Sequence, residues 1–404
     1  MVPQGSITRL SWWGHEMKWR RRVAVIGTGQ TVHTRKRDDV SQQEMVREAA
    51  RRALADAEMT ARDIDAVVLA NMELFEGRAL PELWCAEGAA GAGKPVLKIA
   101  TGGTSGTSGA IAGALQVASG MFDTVLVVGF EKQSEGHTSA GMALTDPMWD
   151  RHVASAAIGN FALSISQYMA ARGVTEEQAA RVAVKARRNA ARNPYAHLQQ
   201  PGLTVEQVLA SSVLAWPVHM LEMCPTSDGA CALVYAAEDV ARRKCATPAW
   251  VRAVATRHDQ PYIGDLDMRL ATMRTLRSAA REAYAQAGVT EPLKEFDVAE
   301  IYEPVSYAEL AWYEALGFCP EGEAGRLIED GVTAMDGELP VNPSGGVLST
   351  NPIGASGVIR TAEAALQIHG KGDTRQVDGA SLALVTGYGV YAWSDVLILS
   401  SDPG

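Results

Sequence analysis

Two segments of the sequence have the residue types and spacing of an anion-binding site. Residues 103–109 and 351–357 share glycine and Ser-Gly positions, and each segment opens an alanine-rich stretch typical of a helix. A helix N-terminus presents backbone N–H groups without intrahelical partners and the positive end of the helix dipole. Two such ends would suit an anion or a developing oxyanion, and glycine would let a ligand approach the backbone. The same glycines would also allow close helix packing.

The cysteines do not form a metal or disulfide motif. No pair has CxxC spacing and no histidine cluster flanks them, so neither structural zinc nor a disulfide framework is expected. We predict no metal site and a reducing compartment, the cytoplasm. Two of them, each followed by proline, lie in segments that look structural. The five are Cys85, Cys224, Cys231, Cys245 and Cys319.

The elements that would position the two segments occur twice in the chain. In each half an amphipathic helix leads through a threonine and an aspartate to a short apolar strand, and a second apolar strand follows the glycine-containing helix. Strands that alternate with helices predict parallel sheets covered on both faces. The repeat therefore predicts an α/β fold with a pseudo-twofold pair of sheets. The matching stretches are residues 49–57 and 279–287, 66–69 and 298–301, and 124–128 and 381–385.

The repeat also predicts how the chain is divided. Residues 1–21 are expected to be an N-terminal extension, loose over residues 1–17, with Met17 as an alternative start. Residues 22–245 would form the first half and residues 246–404 the second. The first half carries a loop insertion at about residues 130–240, which has no counterpart in the second.

Composition excludes several classes of protein. The 404 residues carry a net charge of -10 and are 47% hydrophobic. An acidic chain of this kind is not expected to bind nucleic acid, which requires a basic surface. No stretch approaches the roughly 18 apolar residues that cross a bilayer, so we predict no membrane span.

Taken together, several motifs resemble the thiolase superfamily, most closely the sterol-carrier-protein-type thiolases, over roughly residues 22–400. The resemblance implies a five-layered αβαβα fold with two duplicated halves, a coenzyme A thioester substrate and a homodimer formed through the core. Coenzyme A would enter as part of the substrate, and no covalently bound cofactor is expected. The motifs are VLVVGFEK at 125–132, SDGA at 227–230, EIYEPV at 300–305, NPSGG at 342–346, PIGASG at 352–357 and GYG at 387–389.

The catalytic residues of the family are replaced. The resemblance places Gly103 at the nucleophilic cysteine, Asn351 at the histidine and Tyr302 at the residue before the acidic position, while the second cysteine falls near Val385. Acyl transfer through an acyl-enzyme needs an activated thiol or hydroxyl. No histidine is placed to activate the hydroxyls beside Gly103, so thiolase chemistry is not expected.

A site that can still stabilise an enolate favours another reaction, the retro-aldol cleavage of a β-hydroxyacyl-CoA. This reaction needs a base for the β-hydroxyl and donors for the thioester oxygen, but no covalent intermediate. The chain resembles the steroid side-chain aldolases, which lack the nucleophilic cysteine, use tyrosines, release a ketone and a short acyl-CoA, and act with a separate OB-fold protein. We therefore predict a carbon–carbon lyase for a bulky substrate and an OB-fold/zinc-ribbon partner.

Roles for individual residues follow from this resemblance. Tyr302 would be the base or proton shuttle, Asn351 an oxyanion or hydroxyl binder, and Tyr388 a second phenol. The chain departs from the aldolase branch at Asn351, where a second tyrosine is expected. The predicted substrate- or oxyanion-binding residues are Gly103, Thr104, Ser105, Glu303 and Gly387.

Two alternatives remain open at this stage. Loss of the catalytic groups also fits a non-catalytic acyl-CoA-binding or scaffold subunit. An acyltransferase would need an atypical nucleophile such as Ser105 or Cys85. His219 is the histidine most expected to line a pocket, and Trp149, Tyr168 and Trp216 could form an apolar pocket in the insertion.

Overall fold

The computed structural model describes residues 9–12, 15–77, 79–137, 148, 156–259, 269–389 and 393–404. Trp149 of the predicted pocket lies outside them. The strands are β1 Arg9–Trp12, β2 His15–Lys18, β3 Val23–Gln30, β4 Ala66–Ala70, β5 Val96–Ile99, β6 Thr124–Lys132, β7 Val213–Ala215, β8 Val218–His219, β9 Asp228–Ala237, β10 Ala249–His258, β11 Val298–Glu300, β12 Leu382–Gly389 and β13 Trp393–Ser400.

Helices of very different length connect these strands. They are α1 Gln42–Asp56, α2 Glu82–Gly88, α3 Ser105–Ala118, α4 Ala156–Arg172, α5 Glu176–Ala190, α6 Val205–Leu209, α7 Glu238–Lys244, α8 Arg269–Thr272, α9 Arg274–Ala287, α10 Pro292–Glu295, α11 Ser306–Ala315, α12 Ala324–Glu329, α13 Gly346–Ser349 and α14 Ile353–His369.

Nine strands form one mixed sheet in the order β11-β12-β13-β10-β3-β9-β6-β4-β5. Pairing is parallel between β4 and β5, β4 and β6, and β11 and β12. The other pairs are antiparallel. The predicted parallel sheets are therefore mixed instead. Strands β12 and β13, for example, follow each other without a crossover helix, and directly connected neighbours pair antiparallel.

The predicted duplication is visible in the order of the strands. Strands β3, β4, β6 and β9 of the first half correspond to β10, β11, β12 and β13 of the second. The two half-sheets are joined edge to edge by the pairs Ala249–Val25 and Trp250–Ala24 between β10 and β3. Since β9 belongs to the sheet, the helices and loops without a counterpart run between β6 and β9. Within the predicted loose extension, β1 and β2 form an antiparallel hairpin.

Alternation along the strands divides the core into layers. In β3, Val23 and Val25 face a central core shared with α3 and α14. Their neighbours Ala24 and Ile26 face an outer core beneath α1. On the far side, α9 packs on β10 and β13 in a third core. This order of helix, sheet, central helices, sheet and helix confirms the predicted five-layered αβαβα fold.

The two central helices cross at glycines. A Cβ atom built on Gly106 would lie 2.7 Å from the backbone nitrogen of Gly357, and one built on Gly357 would lie 2.2 Å from the nitrogen of Thr107. The helices therefore touch backbone to backbone near their N-terminal ends. Close helix packing, the simpler reading of these glycines, explains both positions.

This crossing makes a prediction about stability. Alanine normally stabilises a helix relative to glycine by up to about 1 kcal/mol, but the clash with Thr107 should make Gly357→Ala destabilising by about 1–3 kcal/mol. Gly202→Ala is the matched control, since a Cβ there meets no atom within 4 Å. Urea unfolding followed by circular dichroism measures both free energies. Equal values for Gly357→Ala and the wild type would contradict the packing argument.

Candidate active site

Position 103 has no space for a side chain. Gly103 lies two residues before the start of α3, and a Cβ atom there would lie 2.3 Å from the carbonyl oxygen of Tyr388. The same Cβ would be 3.4 Å from the hydroxyl of Tyr302. The backbone of β12 thus fills the place of a nucleophilic side chain, and a phenol lies beside it.

The phenol of Tyr302 contacts the side chain of Asn351. Its hydroxyl donates to Oδ1 of Asn351 at 3.4 Å, and Ser356 Oγ donates to the same oxygen at 2.8 Å. The backbone N–H of Asn351 donates to Ser227 Oγ at 3.2 Å. These contacts orient the amide so that Nδ2 lies 3.2 Å from Cys224 Sγ. The amide therefore has a fixed acceptor side and a fixed donor side.

The electrostatics of Tyr302 contradict its predicted role as a base. Burial, with a smaller contribution from the neighbouring Cys224, raises the pKa of Tyr302 above the ordinary tyrosine value. The phenol therefore keeps its proton at neutral pH. A base would need the opposite shift, so Tyr302 is suited to donate a hydrogen bond or a proton.

A cavity of about 590 Å³ opens next to Asn351. Tyr302 is not among the described residues that line this cavity, but its hydroxyl contacts Asn351, which is. Apolar side chains of the insertion supply much of the wall, and polar groups gather near the amide. The lining residues central to the chemistry are Arg35, Gln133, Arg187, His197, Cys224 and Asn351, and the apolar ones include Leu214, Met220, Leu221 and Met223.

His197 is a cavity residue that sequence reasoning missed. Its Nδ1 lies 2.9 Å from Ser227 Oγ. Burial, followed by the charge of Arg187, lowers the pKa of His197, so the imidazole is neutral at pH 7. The predicted His219 instead contacts the carbonyl of Ser211 at 2.9 Å and Glu176 at 3.4 Å, outside the cavity lining.

One cysteine that looked structural in the sequence lies beside the cavity. This residue is Cys224, which is among the lining residues. Burial raises its pKa to about 12. Cys85, proposed as an atypical nucleophile, is completely buried under α1, and burial raises its pKa to about 12 as well. Proximity of Cys224 to Asn351 comes from the tertiary fold, and no spacing in the sequence indicates it.

The hydroxyls beside Gly103 stabilise the turn before α3. Thr104 Oγ1 donates to the carbonyl of Thr101 at 2.6 Å. Ser105 Oγ donates to the carbonyl of Gly102 at 2.6 Å and accepts from the N–H of Thr101 at 2.9 Å. Both side chains are buried. These bonds argue against Ser105 as a nucleophile.

The GYG motif shapes the site through its backbone. A Cβ on Gly387 would lie 1.9 Å from Thr107 Oγ1, so glycine is needed for β12 to approach α3. The ring of Tyr388 packs against Trp312, with ring centroids 4.8 Å apart. Its carbonyl, described above, faces Gly103. The side chain of Tyr388 thus lies in the aromatic core.

Two buried glutamates accept hydrogen bonds from backbone N–H groups just before and at the start of α14. Glu303 accepts the N–H of Leu348 at 3.1 Å, and burial followed by Glu309 raises its pKa to about 8. Glu131 accepts the N–H of Gly354 at 2.8 Å in the first turn of α14. Of the N–H groups expected to be offered to a ligand at the start of α14, that of Gly354 already has Glu131 as its acceptor.

Within the described ranges, no group of three histidine, cysteine, aspartate or glutamate side chains could hold a metal ion. Over the same ranges, every helix is too short or too polar to cross a membrane. Of the aromatic residues expected in an apolar pocket, Tyr168 is buried against Glu314 at 2.9 Å, whereas Trp216 is 62% exposed.

Comparison with known proteins identifies the family. The model of the thiolase N-terminal domain matches residues 23–205, and that of the thiolase C-terminal domain-like family matches residues 255–401. Acetyl-CoA acetyltransferase of Methanothermobacter thermautotrophicus is 34% identical over 91% of this chain and 96% of its own length. Sterol carrier protein 2 of Gallus gallus is 30% identical over 90% of this chain and 69% of its own length.

A solved structure is similar over nearly the whole chain. The Ltp2-ChsH2(DUF35) aldolase is 26% identical, with a TM-score of 0.81, over 95% of this chain and 98% of the compared chain. The chain therefore belongs to the thiolase superfamily, among the sterol-carrier-protein-type thiolases.

Proposed function

We propose that the protein is a carbon–carbon lyase that cleaves a bulky β-hydroxyacyl-CoA by a retro-aldol reaction. The products would be a ketone and a short acyl-CoA, and a steroid side-chain thioester is the candidate substrate. The reaction is balanced without an oxidant or a second substrate. The similarity of the chain to an aldolase structure over nearly its whole length supports a lyase reaction.

The observation that carries the proposal is the contact between Gly103 and the Tyr388 carbonyl. A side chain at position 103 would need the backbone of β12 to move, since its Cβ would lie 2.3 Å from that oxygen. An acyl-enzyme requires a nucleophile at the reacting carbon. A retro-aldol reaction requires hydrogen-bond donors and a base instead, and the site offers both.

Three side chains can divide the work. His197, neutral and in the cavity, takes the proton of the β-hydroxyl group. The Cα–Cβ bond then breaks, and its electron pair enters the thioester as an enolate, whose oxygen accepts from Asn351 Nδ2. Tyr302 donates the proton that converts the enolate carbon to the short acyl-CoA. A proton passed from His197 back to Tyr302 restores both groups.

The test of the proposal is turnover of a tertiary β-hydroxyacyl-CoA, with and without a small OB-fold partner protein. We expect ketone and short acyl-CoA from the wild type and a loss in kcat of about 10²–10⁴-fold in Tyr302→Phe. Tyr284→Phe is the matched control, because this partly buried tyrosine donates its hydroxyl to the carbonyl of Leu316 at 2.9 Å and is not among the residues that line the cavity. Absence of products would reject the lyase, and equal rates in both variants would reject the role of Tyr302.

The pH profile tests the assignment of the base. Burial and Arg187 hold the pKa of His197 below its ordinary value, so the midpoint of the acid limb of kcat/KM should lie below about pH 6.5. His197→Gln should lower kcat by about 10²–10⁴-fold, while His258→Gln, at an exposed position, should not. An acid limb well above pH 7, or an active His197→Gln protein, would assign the base elsewhere.

An acyltransferase is the second candidate, because Cys224 lines the cavity and one relative is an acetyl-CoA acetyltransferase. The raised pKa of Cys224 disfavours it. With a pKa of about 12, only about one thiol in 10⁵ is a thiolate at pH 7. A scaffold subunit would show no turnover with or without the Tyr302→Phe change, and it would still bind acyl-CoA.

We also propose a homodimer and an OB-fold/zinc-ribbon partner. The last strand of the sheet, β5, exposes Val96 and Leu97 to 38% and 45%. Leu83 and Trp84 of α2 are 68% and 44% exposed. An unpaired edge strand with exposed apolar side chains favours association with a second chain.

A further inference from the structure

One buried arginine differs from the others in its surroundings. Arg187, Arg360 and Arg375 are each 1% exposed. Arg360 pairs with Glu300 at 2.6 Å and Arg375 with Glu363 at 2.7 Å. In the part of the chain that the structure describes, no carboxylate lies within ion-pair distance of Arg187. Buried charges are usually paired, so this guanidinium requires an explanation.

The bonds of Arg187 leave one edge of the guanidinium unused. Its Nη1 donates to the carbonyl of Leu348 at 2.5 Å and to Ser349 Oγ at 3.2 Å. Its Nε has no hydrogen-bond acceptor among the described residues. The side chain borders the cavity described above. Two contacts therefore hold Nη1, while Nε and Nη2 donate to no acceptor among the described residues.

The charged side chains that the structure describes around the cavity are both basic. Among the described residues that line it are Arg35 and Arg187 but no aspartate or glutamate, although the chain as a whole has a net charge of -10. The acid that acts on Arg187, Glu303, is buried and accepts the N–H of Leu348. Burial lowers the pKa of Arg187 to about 10, so it remains charged at neutral pH.

The two arginines differ in exposure, which distinguishes an exposed end of the cavity from a buried one. Arg35 is exposed, whereas Arg187 is 1% exposed. Asn351, which is 4% exposed, lines the same cavity. The phosphates of coenzyme A, which are large and strongly hydrated, belong at the exposed end. The buried end, with Arg187 and Asn351, would hold the acyl group.

We propose that Arg187 forms a carboxylate-binding subsite, so that the preferred acyl group carries a carboxylate in addition to the thioester. A guanidinium edge formed by Nε and Nη2 matches the two oxygens of a carboxylate. Such a ligand would supply the anion that this arginine lacks. The inference rests on the proposed acyl-CoA pocket, but it does not depend on lyase activity.

Binding of two matched thioesters tests the subsite. Succinyl-CoA and butyryl-CoA have the same acyl chain length and no β-hydroxyl group, so a retro-aldol reaction cannot consume them. By isothermal titration calorimetry, we expect the wild type to prefer succinyl-CoA by about tenfold or more. Arg187→Gln should lose this preference through weaker succinyl-CoA binding, with butyryl-CoA binding retained. Arg188→Gln, on the exposed side of α5, should keep it.

Each other outcome has a defined meaning. Absence of a preference in the wild type overturns the subsite without any variant. Equal weakening of both thioesters in Arg187→Gln also overturns it, because the arginine would then bind the coenzyme A phosphates. If the wild type binds succinyl-CoA and butyryl-CoA equally well, the carboxylate subsite is rejected but the acyl-CoA pocket is retained. Failure of both thioesters to bind the wild type rejects the proposed function as well.

Discussion

The contact between α3 and α14 determines the geometry of the whole site. Because Gly106 and Gly357 let the two backbones touch, residues just before each helix come together in the centre of the molecule. Gly103 precedes one helix and Asn351 the other, and Tyr302 lies between them. The sheets on either side hold the helices in place, so the site is formed by the duplication and not by either half alone.

Burial then decides what these groups can do. It raises the pKa of both Tyr302 and Cys224, which keeps a proton on the phenol and on the thiol. It lowers the pKa of His197, which keeps the imidazole neutral. A site with a protonated phenol, an oriented amide and a neutral imidazole is suited to proton transfer and enolate stabilisation. It is poorly suited to nucleophilic attack by sulfur.

The sequence predicted the elements better than the contacts. Repeated patterns and glycine positions located the central helices, and motif resemblance brought Gly103, Tyr302 and Asn351 to one place. Directions of strands were missed because alternation of helices and strands does not reveal a hairpin such as β12–β13. His197 and Arg187 were missed because only tertiary packing brings the insertion to the site. Glu131 was not recognised as the partner of α14, since its carboxylate lies 223 residues from Gly354 in the chain.

In the proposed reaction, carbon–carbon bond cleavage proceeds without a covalent acyl-enzyme. Mass spectrometry of the intact protein, acid-quenched during turnover of a tertiary β-hydroxyacyl-CoA, shows directly whether an acyl-enzyme forms. We expect an unmodified mass at every time point, because Gly103 has no side chain and Cys224 retains its proton. An acyl adduct that forms and decays during turnover, mapped to Cys224, would contradict it.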